Sequence, residues 1–433
     1  VIRWSTPIVA VGLFLCAVLL SGCGGKDRTG ELTLAVGGAP NEVAFWEGLA
    51  NEFESDSGIP VRIIRQPADT DQRRQGLVVP LRSGQRDPDV FLMDVAWLGQ
   101  FAASGWLEPL DEFVQRDDYH TGFFFRRVVE MADRHRTELI ALPVNVDAGL
   151  LYYRTDLLKR FGYDAPPETW EELLAMSERV QKEMRKSEPR FFGYLWQGAR
   201  YEGLICNFLE VAASNGGGFR ADTNGIRVDD QANREALTFM QGLIHDARVS
   251  PPNTFTEMKE EEVRSQFQNG LALFERNWPY AWALHNAADS PILGKVGMAP
   301  LPHFQGGESA ATLGGWHIGI SATSDQKEAA WSFLKFAVSL DVQKRMVTEL
   351  GWNSARRDIY QDRALLDQQP HLEHLRDVMV HAVPRPLVPY YTQISEALQS
   401  RINSALAGQT SPEEALRLAD EDMAQVVNRY SGE

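Results

Sequence analysis

Three carboxylates fall where strands end or cross: Glu42 closes the loop VGGAPNE, Asp94 ends DVFLMD, and Asp147 lies near the middle of ELIALPVNVDAGLLYYRTDLL. Carboxylates so placed can do either of two jobs. Asp94 and Asp147 could form the acid and base pair of a carbohydrate hydrolase, or they could accept hydrogen bonds from ligand hydroxyls without turnover. No Ser-His-Asp or Cys-His arrangement can be established from the sequence. Aromatic rings offer the complementary surface. In NWPYAW (277–282), Pro279 fixes its own backbone and pushes Trp278 toward an extended conformation, so the chain is expected to turn at Trp278 and start a helix at Pro279. Trp282 then falls at core spacing. Trp278, at an element end, could lie against the apolar face of a sugar with its N–H on a polar partner. Leu313-Gly314-Gly315-Trp316-His317 has the same character: two glycines let backbone approach a ligand closely, or form a bulge beside a buried ring.

Other constellations are weaker. Asp69-Thr70-Asp71 and ADTNG (221–225) lack the closing Glu of a calcium loop, HLEH (371–374) lacks the Glu placement of a zinc protease, and Asn215-Gly216-Gly217-Gly218 lacks the Lys-Ser/Thr of a phosphate cradle. No metal and no cofactor are expected.

These residues need elements to hold them. ELTLAVGG reads as a strand stopping at Gly37-Gly38. A helix capped by Asn41 follows, with Val43, Phe45, Trp46, Leu49 and Phe53 at helical spacing up to Gly58. Next come the strand VRIIR, a helix through Arg73 to Leu81, and the buried strand DVFLMD. Strands alternating with helices imply an α/β lobe on a largely parallel sheet, in which ligands sit beyond the carboxyl ends of strands. The segment around Asp147 reads as one strand entering a second region, and PPETWEELLAMSERVQKEMR as a helix starting at Pro167 and Thr169. The chain ends in helices after a return to the strand-like AATLGGWHIGIS, so the lobes are expected to be joined by several crossings.

The 433 residues exceed what one core usually organises, so two lobes are expected. A net charge of −16 argues against nucleic acid or anionic lipid as a partner, since either needs a basic face. Pro7 to Leu20 has the length of a signal-peptide apolar region rather than a spanning helix. The Leu20-Ser21-Gly22-Cys23 that follows resembles a lipoprotein cleavage site, with acylation at Cys23. With Cys16 in the signal and Cys23 acylated, Cys206 is left as a buried thiol and no internal disulfide is possible.

Taken together, VGGAPNE, DTDQRR (69–74), DVFLMDVAWLGQF (89–101), VDAGLLYYRTDLL (146–158), WQGARYEGL (196–204), FERNWPYAWALHNA (274–287), LGGWHIGIS (313–321) and AVPRPLVPYY (382–391) resemble the extracellular solute-binding proteins (family 1) of ABC sugar importers, and most closely the trehalose/maltose-binding members. That resemblance implies an α/β, two-lobed periplasmic-binding-protein-like fold with a ligand cleft between the lobes. It further implies a monomer outside the cytoplasm, anchored to the cell membrane as a lipoprotein, that closes over a disaccharide and hands it to the membrane subunits of an ABC permease. The expected division is a signal peptide over 1–22, a tether over 23–30, a first lobe of 31–146 and 303–355, and a second of 147–302 and 356–433. Carried onto matching positions, Glu42, Asp94 and Asp147 become acceptors for sugar hydroxyls and Arg73 and Arg385 donors, with Arg74 an alternative to Arg73. Tyr201, Trp278, Tyr280 and Trp316 become aromatic walls, and Gly315 a backbone contact. One departure stands out: Asn145 occupies a position where an aromatic residue is expected, either as an amide contact to ligand or in a structural role. The alternative function is a cell-surface carbohydrate hydrolase.

Overall fold

The computed structural model describes Val1, residues 30–222 and residues 225–431. Cys23 and the apolar run before it lie outside the described residues, and among those residues no helix is long and apolar enough to cross a membrane.

Two sheets organise two lobes. The first sheet has five strands in the order Val61–Gln66, Leu32–Gly37, Val90–Asp94, Trp316–Ile320 and Leu142–Pro143. The first three are parallel, as the alternating strand and helix pattern predicts, whereas Trp316–Ile320 runs antiparallel to both neighbours. Its core takes Leu32, Leu34 and Val36 from the first strand and Phe45, Trp46, Leu49 and Phe53 from the helix Pro40–Ser57, whose three- and four-residue spacing puts them on one face. That helix ends at Gly58, which adopts φ 74° as a left-handed cap. It begins one residue before the expected cap Asn41. Pro40 is its first residue, and the Glu42 carboxylate accepts the Ala39 N–H at 2.7 Å, closing the turn from inside the helix.

The second sheet runs Val296–Ala299, Leu150–Arg154, Ala272–Asn277, Phe192–Leu195 and is mixed: only its last pair is parallel. Helices Trp170–Met184, Glu202–Ala213, Gln231–His245 and Tyr391–Leu406 supply its largest core. Thr169 caps the first of these in a reciprocal box with Glu172.

Three short strands, Ala382–Val383, Ala311–Gly314 and Asp147–Ala148, form a third sheet where the chain passes between lobes. The single strand expected around Asp147 is therefore broken. Glu138–Leu139, Leu142–Pro143, Asp147–Ala148 and Leu150–Arg154 belong to four different sheets. Pro143 has no N–H to extend a ladder, and at Gly149 a Cβ would meet Glu210 Oε1 at 2.1 Å, so the backbone passes there against the second lobe. The crossing expected at 303 comes later. His303 bridges Thr169 and Phe304 packs on the second lobe's core, so the chain leaves that lobe only at the hinge strand Ala311–Gly314.

Candidate functional site

A cavity of about 330 Å³ lies between the lobes, at the carboxyl ends of the first-lobe strands. Of the ten expected ligand contacts, Glu42, Arg73, Asp94, Asp147, Trp278, Tyr280, Gly315, Trp316 and Arg385 line it. Tyr201 does not. Its ring is 1% exposed and lies beneath Lys259, whose ammonium stands 5.2 Å from the ring centroid. Tyr201 precedes the helix Glu202–Ala213, and its extended backbone (φ −169°) turns the chain inward before the helix begins.

Each carboxylate is held differently. Glu42, already tied to Ala39, also accepts the Trp352 indole N–H at 2.8 Å, and burial pushes its carboxyl up to about 7. Asp94 Oδ1 accepts from the Ala96 N–H at 2.8 Å and from Arg385 Nη2 at 3.0 Å. Arg385 in turn donates from Nη1 to Glu202 at 2.8 Å, so its guanidinium joins an acid of each lobe. Glu202 is fully engaged by Arg385, Tyr391 and Ser395. Asp147 uses Oδ2 to accept from Asn145 at 2.8 Å, while its Oδ1 is buried with no partner among the described residues. Burial, with Glu42 and Asp94 nearby, pushes Asp147 up to about 8.

The two adjacent arginines point different ways. Arg73 enters the cavity and lies 3.7 Å over the Trp316 ring, with buried Nε and Nη2 unpaired among the described residues. Burial lowers its guanidinium to about 10. Arg74 turns away to Glu396 at 2.5 Å. Trp316 is thus a platform for Arg73 rather than a bare wall, braced edge-on by Trp97 at 5.5 Å. Trp278 is backed by Arg276 at 4.0 Å, itself paired with Glu210 at 2.5 Å in the interior, which leaves the indole to face the cavity. Tyr280 donates to Glu261 at 2.7 Å. Trp282 stacks on His371 and packs against the second lobe, and its helix starts at Ala281 rather than Pro279 because the turn consumes Trp278 to Tyr280. Gly315 has φ +136°, and a Cβ there would meet the Asn145 carbonyl at 2.5 Å, so glycine is required on backbone grounds alone.

Several lining residues escaped the sequence reading: Asp69, Glu202, Lys259, Glu260, Glu261 and Trp352. Asp69 and Glu202 lie inside the motifs DTDQRR and WQGARYEGL, which carried a signal. The run KEEE (259–262) reads as a solvated charged helix start and carried none. Yet Lys259 pairs with Asp69 across the cleft mouth, and Trp278 Nε1 reaches Glu260 at 3.4 Å.

Aromatic rings, buried arginines and several carboxylates converging from two lobes make a site for holding a polar solute. The sequence matches the model of the bacterial extracellular solute-binding protein family over residues 39–344. The chain belongs to that family. This solute-binding protein is 36% identical over 384 residues to a probable ABC transporter-binding protein of Deinococcus radiodurans, covering 88% of this chain and 90% of the relative. It is 25% identical to the maltotriose-binding protein of Pyrococcus abyssi, over 85% and 75% of the two chains. Among solved structures it is similar to maltose-bound T. maritima MalE3, with a TM-score of 0.85 and 39% identity over 92% of this chain and 99% of that one. The solute-binding family works as the binding component of ABC transport systems, and this member has the family's two-lobed α/β fold.

Proposed function

We propose that this solute-binding protein takes a neutral α-linked disaccharide such as trehalose or maltose, closes its lobes over it, and delivers it to the membrane subunits of an ABC permease. The observation that carries the reading is one inter-lobe cavity holding both a buried donor pair, Arg73 Nε and Nη2, and a buried carboxyl oxygen, Asp147 Oδ1, none of them with a partner among the described residues. A sugar hydroxyl both donates and accepts, and so satisfies both. The apolar C–H faces of a sugar ring match Trp278 and the Arg73–Trp316 stack. Glu42, Asp94 and Arg385 complete the polar set, with Tyr280 at the wall. Relatives named for maltose and maltotriose support the ligand class. Anchoring through acylated Cys23 belongs to the same reading.

Carboxyls pushed up to about 7 and about 8 at Glu42 and Asp147 also suit a general acid, which is the observation favouring hydrolysis. Against it, both Glu42 oxygens are committed to Ala39 and Trp352. Calorimetry with trehalose, maltose and sucrose side by side tests both readings. The expected result is reversible binding of at least one disaccharide, recovered chemically unchanged. Absence of heat with all three overturns the sugar reading, and appearance of monosaccharide converts it to the hydrolase reading. Release of Cys23-containing peptide with a covalent acyl chain, read by mass spectrometry of membrane-extracted protein, tests the anchor.

A further inference from the structure

Asn145 sits where the resemblance leads one to expect an aromatic residue, as an amide contact to ligand or in a structural role, and it is 1% exposed and does not line the cavity. Its amide nitrogen and amide oxygen each engage a residue that does. Nδ2 donates to Asp147 Oδ2 at 2.8 Å, and Oδ1 accepts the Trp316 N–H at 2.9 Å. Its own N–H meets the Trp316 carbonyl at 3.3 Å, and its carbonyl lies where a Gly315 Cβ would be. We propose that Asn145 is a positioning residue that touches no ligand and instead couples Asp147, on the hinge strand, to Trp316, at the start of the first-lobe strand, fixing the acceptor and the Arg73 platform in one register. The proposal rests on the sugar reading for its binding consequences, and on the geometry alone for its effect on Asp147.

Chemistry selects asparagine here. One planar group must donate to a carboxylate and accept from a backbone N–H at once. Leucine would leave both partners unpaired, and aspartate would keep the Trp316 contact while setting like charge against Asp147. Because Oδ2 is taken by the amide, Oδ1 is the oxygen left for ligand, so Asn145 also decides which lone pairs Asp147 presents. The charged and titratable groups acting on Asp147 are Glu42, Asp94 and Arg276, with Tyr152 and Tyr360 also within its field.

A double-mutant cycle tests the coupling. Asn145→Ala is expected to weaken disaccharide binding about ten- to a hundredfold, but to add less than about twofold in an Asp147→Ala background. Equal losses in both backgrounds would mean that Asn145 acts independently of Asp147, and would overturn the proposed coupling. The second readout needs no sugar: the Asp147 side-chain carbon, followed by NMR in the ligand-free protein, should titrate at higher pH in Asn145→Ala, because the amide donor favours the ionised carboxylate. An unchanged midpoint overturns the proposal. If Asn145→Ala does not fold, the isosteric Asn145→Asp is taken through both measurements with the same expected directions. If the wild-type protein binds none of the sugars, the sugar reading fails and the titration still decides the role of Asn145.

Discussion

At the scale of residues, the cleft concentrates acids that are more easily buried neutral than charged, and this has a pH signature. Asp147 holds its proton in the folded state up to about 8, against an ordinary carboxyl near 3.8. Between those values the unfolded chain has released the proton and the folded chain retains it, so the contribution of Asp147 to stability falls as pH rises. Asp147→Asn is therefore expected to raise the Tm of the ligand-free protein by a few degrees near pH 8, with the gain shrinking toward pH 4, while weakening sugar binding. Thermal scans across pH check it, and a gain largest in acid would contradict it. Trp278→Ala and Trp316→Ala are each expected to cost binding about 1.5–3 kcal/mol with near-native circular dichroism, and normal affinity in both variants would remove the aromatic assignment. Residue types were the most legible part of this site. Nine of the ten expected contacts reach the cavity because the motifs around them run over long stretches. Tyr201 does not reach it, and an aromatic at a helix start looks the same from sequence whether its ring turns out to the cavity or in beneath Lys259.

At the scale of elements, the helix Thr70–Arg82 presses the first lobe against the second. Asp69 caps its N-terminus by accepting from the Gln72 N–H at 2.8 Å and also pairs with Lys259. Within the same helix Asp71 meets Gln399 at 3.3 Å and Arg74 meets Glu396 at 2.5 Å, both on the helix Tyr391–Leu406. These links join the two lobes directly, beside the contacts that a ligand would add. Lys259→Met should loosen that junction and weaken sugar binding about fivefold, a change of about 1 kcal/mol for a partly exposed pair, mainly through faster release in stopped-flow traces. A slowed association with unchanged release would place the effect elsewhere. Helices and parallel strands of the first lobe were readable because their apolar periods are long and end at Gly58 or Asp94. The segment 138–154 was not, because apolar alternation reports that residues are buried, not which of several sheets they join. The charged run at 259–262 was opaque for a related reason: burial of Glu260 depends on a lobe that the local sequence does not describe.

At the scale of the whole molecule, three short strands link the two lobes, and the residues lining the cavity are divided between them. Glu42, Arg73 and Asp94 come from one, and Trp278 and Tyr280 from the other. A bound sugar must therefore favour the closed arrangement by whatever it gains from touching both. Small-angle scattering should show the radius of gyration fall on addition of a binding disaccharide, and an unchanged radius would mean that the lobes are already shut without ligand. Two lobes were foreseeable from length. The point at which the chain returns was not: His303 and Phe304 keep residues beyond 303 with the second lobe through contacts that leave no mark in local composition.

The strand Trp316–Ile320 sits between Val90–Asp94 and Leu142–Pro143, although the entire second sheet separates it from both of them in the chain. As the polypeptide is synthesised, the first lobe therefore waits with a gap in the middle of its sheet until residue 320 has emerged. Its assembly is dominated by pairing across long sequence separation, which is intrinsically slow. A fragment ending at residue 146 should remain largely unfolded by circular dichroism, and addition of the missing segment in trans should not rescue it at micromolar concentration, because the strand that completes the sheet arrives attached to a lobe that must fold as well. The middle of the first-lobe sheet is thus filled last, by the strand latest in its sequence.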